Sequence, residues 1–312
     1  MLSRRVLRIK VIKALYSHLL SGSDNMMASE KSLLTSIDKS YDLYLQLLLL
    51  PSDLVSYARS RQEIAAKKHL ASYEDLNPNT KFVDNTVSRL VADGDTVVDI
   101  TTSRKLNWQR DPELIKSLFM ALESSEEYQK YMLSEERSLR EDVALWEYFF
   151  VEIVQNSEMF DQVVEEHSIM WSGDLVFVLP LVIRTLTSIR PSHTDIKLMK
   201  KYKSDDDLEF VRHLFQKSLI GYRKNEEYID KFTRNWDVER IVFIDTLIMI
   251  VAMTELTSFP EIPVKVTMDE YIEIAKFYST ASSGTFINGV LDKINQALTQ
   301  QGEIKKCGRG LL

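Results

Sequence analysis

A chain of 312 residues with 45% apolar content is long enough for one large domain or two ordinary ones, and it is too apolar to be disordered. A net charge of −7 argues against a general nucleic-acid coat protein, and a single cysteine, Cys307, excludes a disulfide framework and points to a reducing compartment. A cytoplasmic protein is therefore expected. No apolar run approaches the roughly 20 residues that span a bilayer, and the basic N-terminus lacks the apolar core and cleavage site of a signal peptide, so no membrane role is expected.

Nine glycines and seven prolines, long Leu/Ile/Glu/Lys-rich segments and no sustained strand-period alternation place the chain in the all-α class. Val6, Ile9, Val11, Ile12, Leu15, Leu19 and Leu20 give residues 3–21 a wide apolar face that ends at Ser21-Gly22-Ser23. A second helix is predicted from about Ser29 through LYLQLLLL to Pro51, and further helices over about 52–72, 80–93, 111–133, 137–168, 174–189 and 206–222. The segments NPNT, DGDT and RPSHTD mark joints. Residues 237–256 are apolar on nearly every face from Ile241 to Met253, as in a helix surrounded by others. After Pro260 and Pro263, Thr267-Met268-Asp269-Glu270 has the form of a capping box, and the last helix starts after Ser282-Ser283-Gly284-Thr285. That last helix contains FINGVLDKI, an Asn-Gly pair inside helical spacing, where glycine costs on the order of 1 kcal/mol relative to alanine.

Catalytic chemistry has little to stand on. The five histidines (18, 69, 167, 193 and 213) fall in neither HxxxH nor HExxH spacing, and there is no P-loop or GxGxxG, so no enzyme activity, metal or cofactor is expected. Charge is the sharper signal. Between Met1 and Ser23 there is no Asp or Glu, while Arg4, Arg5, Arg8, Lys10 and Lys13 crowd the start of the first helix, where cations oppose the macrodipole. Such a helix end suits single-stranded RNA, since arginine grips phosphate and stacks on bases; a merely solvated basic end is the alternative. The SSGT turn offers backbone N–H groups to a phosphate, and Phe286 and Tyr278 offer rings to a base, with core packing as the alternative for both.

The N-terminal RRVLRIKVIKALYS together with WDVERIVFIDTLIMIVAMTEL, IPVKV, DEYIEIAKFYS and FINGVLDKI resembles the NusB family of bacterial transcription antitermination factors. The resemblance covers roughly residues 3–21 and 206–296 and leaves about 30–200 unaccounted for. It implies a NusB-like bundle of two packed subdomains with extra helices inserted, acting as a non-catalytic binder of boxA-type single-stranded ribosomal RNA. The implied partners are the ribosomal protein NusE and the RNA polymerase antitermination complex. RNA contacts would map to Arg4, Arg5, Arg8, Tyr278, Ser282, Phe286 and Asn288, and the NusE surface to Tyr16 and Asp245; a structural partner for Asp245 inside the fold is the alternative. The core helix departs from the family in carrying Ile250 where an arginine is usual, and Ser282 stands where relatives often have an acid.

The expected division is an N-terminal subdomain over 1–200, a C-terminal NusB-like subdomain over 201–300 and a flexible basic tail over 301–312. Two other functions fit the same sequence less closely: a helical scaffold docking proteins through the acidic middle segment, and an RNA-binding module of an RNA-modifying system. The second would need a nucleotide-binding α/β half that this chain lacks.

Overall fold

The apolar spacings of the sequence become helices in the computed structural model, which describes residues 1–233, 242–280 and 282–311. Among the described residues there are fifteen α-helices and no strand. The chain divides into a middle unit, Asp38–Lys201 with Met1–Leu2, and a terminal unit, Ser3–Ile37 with Tyr202–Leu312. The change at Lys201 lies beside the expected cut, but the first helix does not belong to an N-terminal subdomain. Its apolar face, Val6, Leu7, Ile9, Val11, Ile12 and Leu15, is buried in the terminal unit, where it packs on helices more than 180 residues later in the chain.

Helix α1 (Arg4–Leu20) is capped by Ser3, whose hydroxyl accepts from the Val6 N–H. Helix α2 (Met26–Ala66) runs unbroken through Pro51, where a stop was expected. An interior proline costs about 3 kcal/mol. Leu45, Leu47, Leu48, Leu50 and Leu54 are all fully buried around it, and each such side chain contributes roughly 1.5–3 kcal/mol, so packing outweighs the lost hydrogen bond.

The middle unit continues with α3 (Tyr73–Leu76), α4 (Thr86–Asp93), α5 (Asp95–Arg104), α6 (Pro112–Glu123), α7 (Glu126–Leu133), α8 (Leu139–Tyr148), α9 (Glu158–His167) and α10 (Leu175–Thr187). The predicted 111–133 helix is split because Ser125 caps α7 through the Tyr128 N–H, which ends α6 before it. The predicted 137–168 helix is split in the same way by Ser157, after α8 has widened into a π-turn at Phe149–Val154. The core is aromatic: Trp108, Trp146 and Trp171 are buried, and their indole N–H groups donate to Gln46 O, Asn85 Oδ1 and Lys39 O at 2.9, 2.9 and 2.6 Å. By sequence this unit carries 27 acidic and 19 basic residues, net −8, so the terminal unit holds 19 and 20, net +1.

The terminal unit is built around α13 (Phe243–Ser258), in which every residue from Leu247 to Leu256 is buried. The predicted beginning of that core helix, residues 237–241, lies outside the described residues. Around α13 pack α1, α11 (Asp205–Ile220), α12 (Tyr222–Thr233), α14 (Val264–Tyr278) and α15 (Ser283–Gln300). Helix α14 starts one turn before the expected capping box. Pro263 precedes it, and Thr267 is buried in its second turn with its hydroxyl donating to Glu255 Oε1 at 2.9 Å, so a buried acid claims the side chain read as a cap.

The tail is not loose. The Cys307 N–H donates to Pro260 O at 3.0 Å, Lys306 Nζ donates to Phe259 O at 3.0 Å, and Gly308–Leu311 form a short 3₁₀ turn. Gly310 is buried so close to Pro260 that a β-carbon would overlap the proline carbonyl oxygen. Composition suggested flexibility, but these contacts with the loop after α13 hold the tail in place.

Candidate RNA and partner interface

The three arginines of α1 have acids within reach after all, supplied by distant helices. Arg4 Nε donates to Asp207 Oδ1 at 3.0 Å, and its guanidinium lies 4.9 Å from the centroid of the Phe210 ring. Arg5 forms a two-pronged pair with Glu270, at 2.9 and 3.0 Å. The Glu270 hydrogen bond holds the Arg5 pKa above its usual value although burial acts the other way. Arg8 forms the same fork with Glu255, at 2.7 and 2.8 Å, and here the side chains are only 3% and 0% exposed. Burial disfavours the Arg8 cation, but the Glu255 hydrogen bond and charge more than offset it, so the Arg8 pKa rises. Thr267 and Tyr271 hydroxyls complete the Glu255 carboxylate at 2.9 and 3.0 Å.

Arg8 is therefore a core ion pair and no RNA contact, and the expectation that it reads phosphate is withdrawn. Lys10 is buried as well. The arginines of the basic stretch do not make a bare cationic end, because Asp207, Glu270 and Glu255 pair with them. Arg4 and Arg5 keep 42% and 34% side-chain exposure. A buried glutamate in an otherwise apolar core helix was the sequence signal for this pairing, since an acid there requires a cation.

At the other end of the terminal unit, Lys13 Nζ lies 5.2 Å from the centroid of the Tyr278 ring, a cation–π distance, and both residues are half-buried. The following turn leads into α15, where Ser282 and Asn288 are exposed and Phe286 is half-buried. The structure thus brings Lys13 and Tyr278 together and places Ser282, Phe286 and Asn288 on the first two turns of one helix. Phe277, 57% exposed beside Tyr278, was not singled out in the sequence.

At the SSGT turn a side chain of the core helix comes into contact. Buried Ser283 donates to Asp245 Oδ2 at 2.7 Å, while Ser279 and Thr280 hydroxyls lie 2.9 and 2.8 Å from the Ser283 oxygen. A buried carboxylate therefore lies against the first residue of α15, where its charge is favourable to the helix dipole. Asp245 is 2% exposed, which corrects its reading as a residue that touches a protein partner. Its Oδ1 has no hydrogen-bond partner among the described residues. Tyr16 is different: it is 40% exposed and packs against Phe243, itself 36% exposed, with ring centroids 5.6 Å apart. Ile250 is fully buried within α13, where packing replaces whatever an arginine would contact.

Comparison with known proteins places this unit. The NusB family model matches residues 182–296, and a transcription antitermination protein NusB from Salinibacter ruber is 48% identical over 104 residues, covering 33% of this chain and 65% of that protein. A NusB from Natranaerobius thermophilus is 30% identical over 95 residues, covering 30% of this chain and 68% of that protein. The chain belongs to the NusB family. A third NusB, from Chloroherpeton thalassium, is 34% identical over 104 residues and is covered over 49% of its length. The chain thus spans about half to two thirds of the NusB relatives it matches, and the matched stretches are about a third of its own length. No solved structure matches it. Among the described residues no helix is long and apolar enough to cross a membrane, and no group of His, Cys, Asp or Glu is arranged to hold a metal ion.

Proposed function

We propose that this NusB-family chain is a non-catalytic transcription antitermination factor that binds boxA-type single-stranded ribosomal RNA together with the ribosomal protein NusE, within the RNA polymerase antitermination complex. The observation that carries this reading is the family match over 182–296, which includes the surface formed by Tyr278, Ser282, Phe286 and Asn288. Phe286 and Tyr278 supply rings on which bases stack, a contact worth roughly 1–3 kcal/mol per base. Lys13 supplies charge next to them, and Arg4 and Arg5 add phosphate contacts from the rim at the expense of their carboxylate pairs. The exposed Tyr16–Phe243 pair is the surface offered to NusE, since adjoining half-exposed rings are the kind of anchor that protein interfaces use.

The test is a titration of a boxA-type RNA by fluorescence anisotropy across salt, with and without NusE. Phe286→Ala should weaken RNA binding roughly tenfold or more. Lys13→Ala should flatten the slope of log K against log salt by about 0.7. Tyr16→Ala should weaken NusE docking while leaving RNA binding without NusE unchanged. Wild type and variants that bind RNA equally, or not at all, while NusE still docks would replace this reading by the scaffold one, for which the net −8 middle unit is the available surface.

A further inference from the structure

Gly289 sits in the interior of α15, an 18-residue helix, where glycine is the poorest choice after proline. Two structural reasons can retain a glycine: a positive φ, or a neighbour too close for a β-carbon. Neither applies. The backbone of Gly289 is ordinary helix, and a β-carbon built on it meets no atom within 4 Å among the described residues. The contrast with Gly284 on the same helix is direct, since a β-carbon there would lie 3.3 Å from Lys276 Cγ. Among the described residues nothing makes use of the missing side chain.

What surrounds Gly289 indicates what does. Phe286 precedes it by three residues, about 4.5 Å along the helix axis and on the same face. Thr285 is exposed on the same side one turn before it, and the next charges on this side are Asp292 and Lys293, one turn further on. A planar ring stacked on Phe286 would extend over the following turn, where any β-carbon would lift its edge.

We propose that Gly289 is a positioning residue of the RNA surface: its bare backbone is the bed for the edge of a nucleobase stacked on Phe286. The inference rests on the RNA-binding reading above. It concerns a flat, uncharged part of the ligand, so salt dependence should not register it.

The experiment pairs thermal unfolding with the RNA titration for Gly289→Ala and Gly289→Leu. Alanine is the better helix former, so a purely structural glycine in open space predicts a higher Tm and unchanged binding. The proposal predicts a higher or equal Tm for Gly289→Ala together with roughly five- to tenfold weaker RNA binding, a larger loss for Gly289→Leu, and an unchanged salt slope. Unchanged RNA affinity in both variants overturns it, and so does a lower Tm for Gly289→Ala, which would mean that the fold needs the space. Wild type that binds no RNA removes the functional reading instead, so the two failures are distinguishable.

Discussion

Replacing Arg8 by methionine tests the reading of α1 as a structural element anchored by its arginines. The substitution keeps an unbranched stem but leaves Glu255, which is fully buried, without the cation that hydrogen-bonds to it. Breaking a buried pair by removing one partner costs about 3–5 kcal/mol, a large part of the 5–15 kcal/mol that holds an ordinary domain together. The Thr267 and Tyr271 hydroxyls still donate to the carboxylate, which keeps the loss nearer the lower end. Arg5→Met removes a fork of the same geometry, but one whose arms are 34% and 23% exposed, and it should cost no more than about 1 kcal/mol. The double variant Arg8→Met/Glu255→Gln buries neither charge and keeps an acceptor for the two hydroxyls, so it should recover about 2 kcal/mol or more over Arg8→Met. Chemical denaturation followed by circular dichroism at pH 7 measures all of these. An Arg8→Met cost equal to that of Arg5→Met would refute the idea that burial makes this pair decisive.

Two further outcomes follow from groups elsewhere in the chain. Burial raises the Asp53 carboxyl from its ordinary value near 3.8 to about 6. The native state therefore holds the proton more tightly, the unfolded chain releases it first as pH rises from about 4 to 6, and up to about 3 kcal/mol of stability is lost across that window. Asp53→Asn should remove this part of the pH dependence in urea unfolding between pH 4 and 7, and an unchanged profile would show that Asp53 is solvated. Gly310→Ala should free the tail, because the added methyl overlaps Pro260 O; limited proteolysis should then cut around 301–311 faster, whereas an unchanged cleavage rate would argue against the docked tail.

The helical class, the buried helix after Val242 and the Phe286–Asn288 helix turn were all legible in the sequence, because hydrophobic period and helix length are local properties. The motifs RRVLRIKVIKALYS and FINGVLDKI likewise carried the family resemblance. Position in space was not legible. Arg4, Arg5 and Arg8 looked like an uncompensated basic end because their partners, Asp207, Glu270 and Glu255, lie more than 200 residues away. Asp245 looked like a partner-facing acid until the fold brought the Ser283 hydroxyl onto it. Pro51 looked like a stop because the propensity penalty is local, whereas the buried leucines that override it make their contacts across the unit. Sequence alone determined that the chain is helical and which family it resembles; only tertiary structure decided where several helices break and which charges are paired, since a salt bridge depends on distance in space and sequence records distance along the chain.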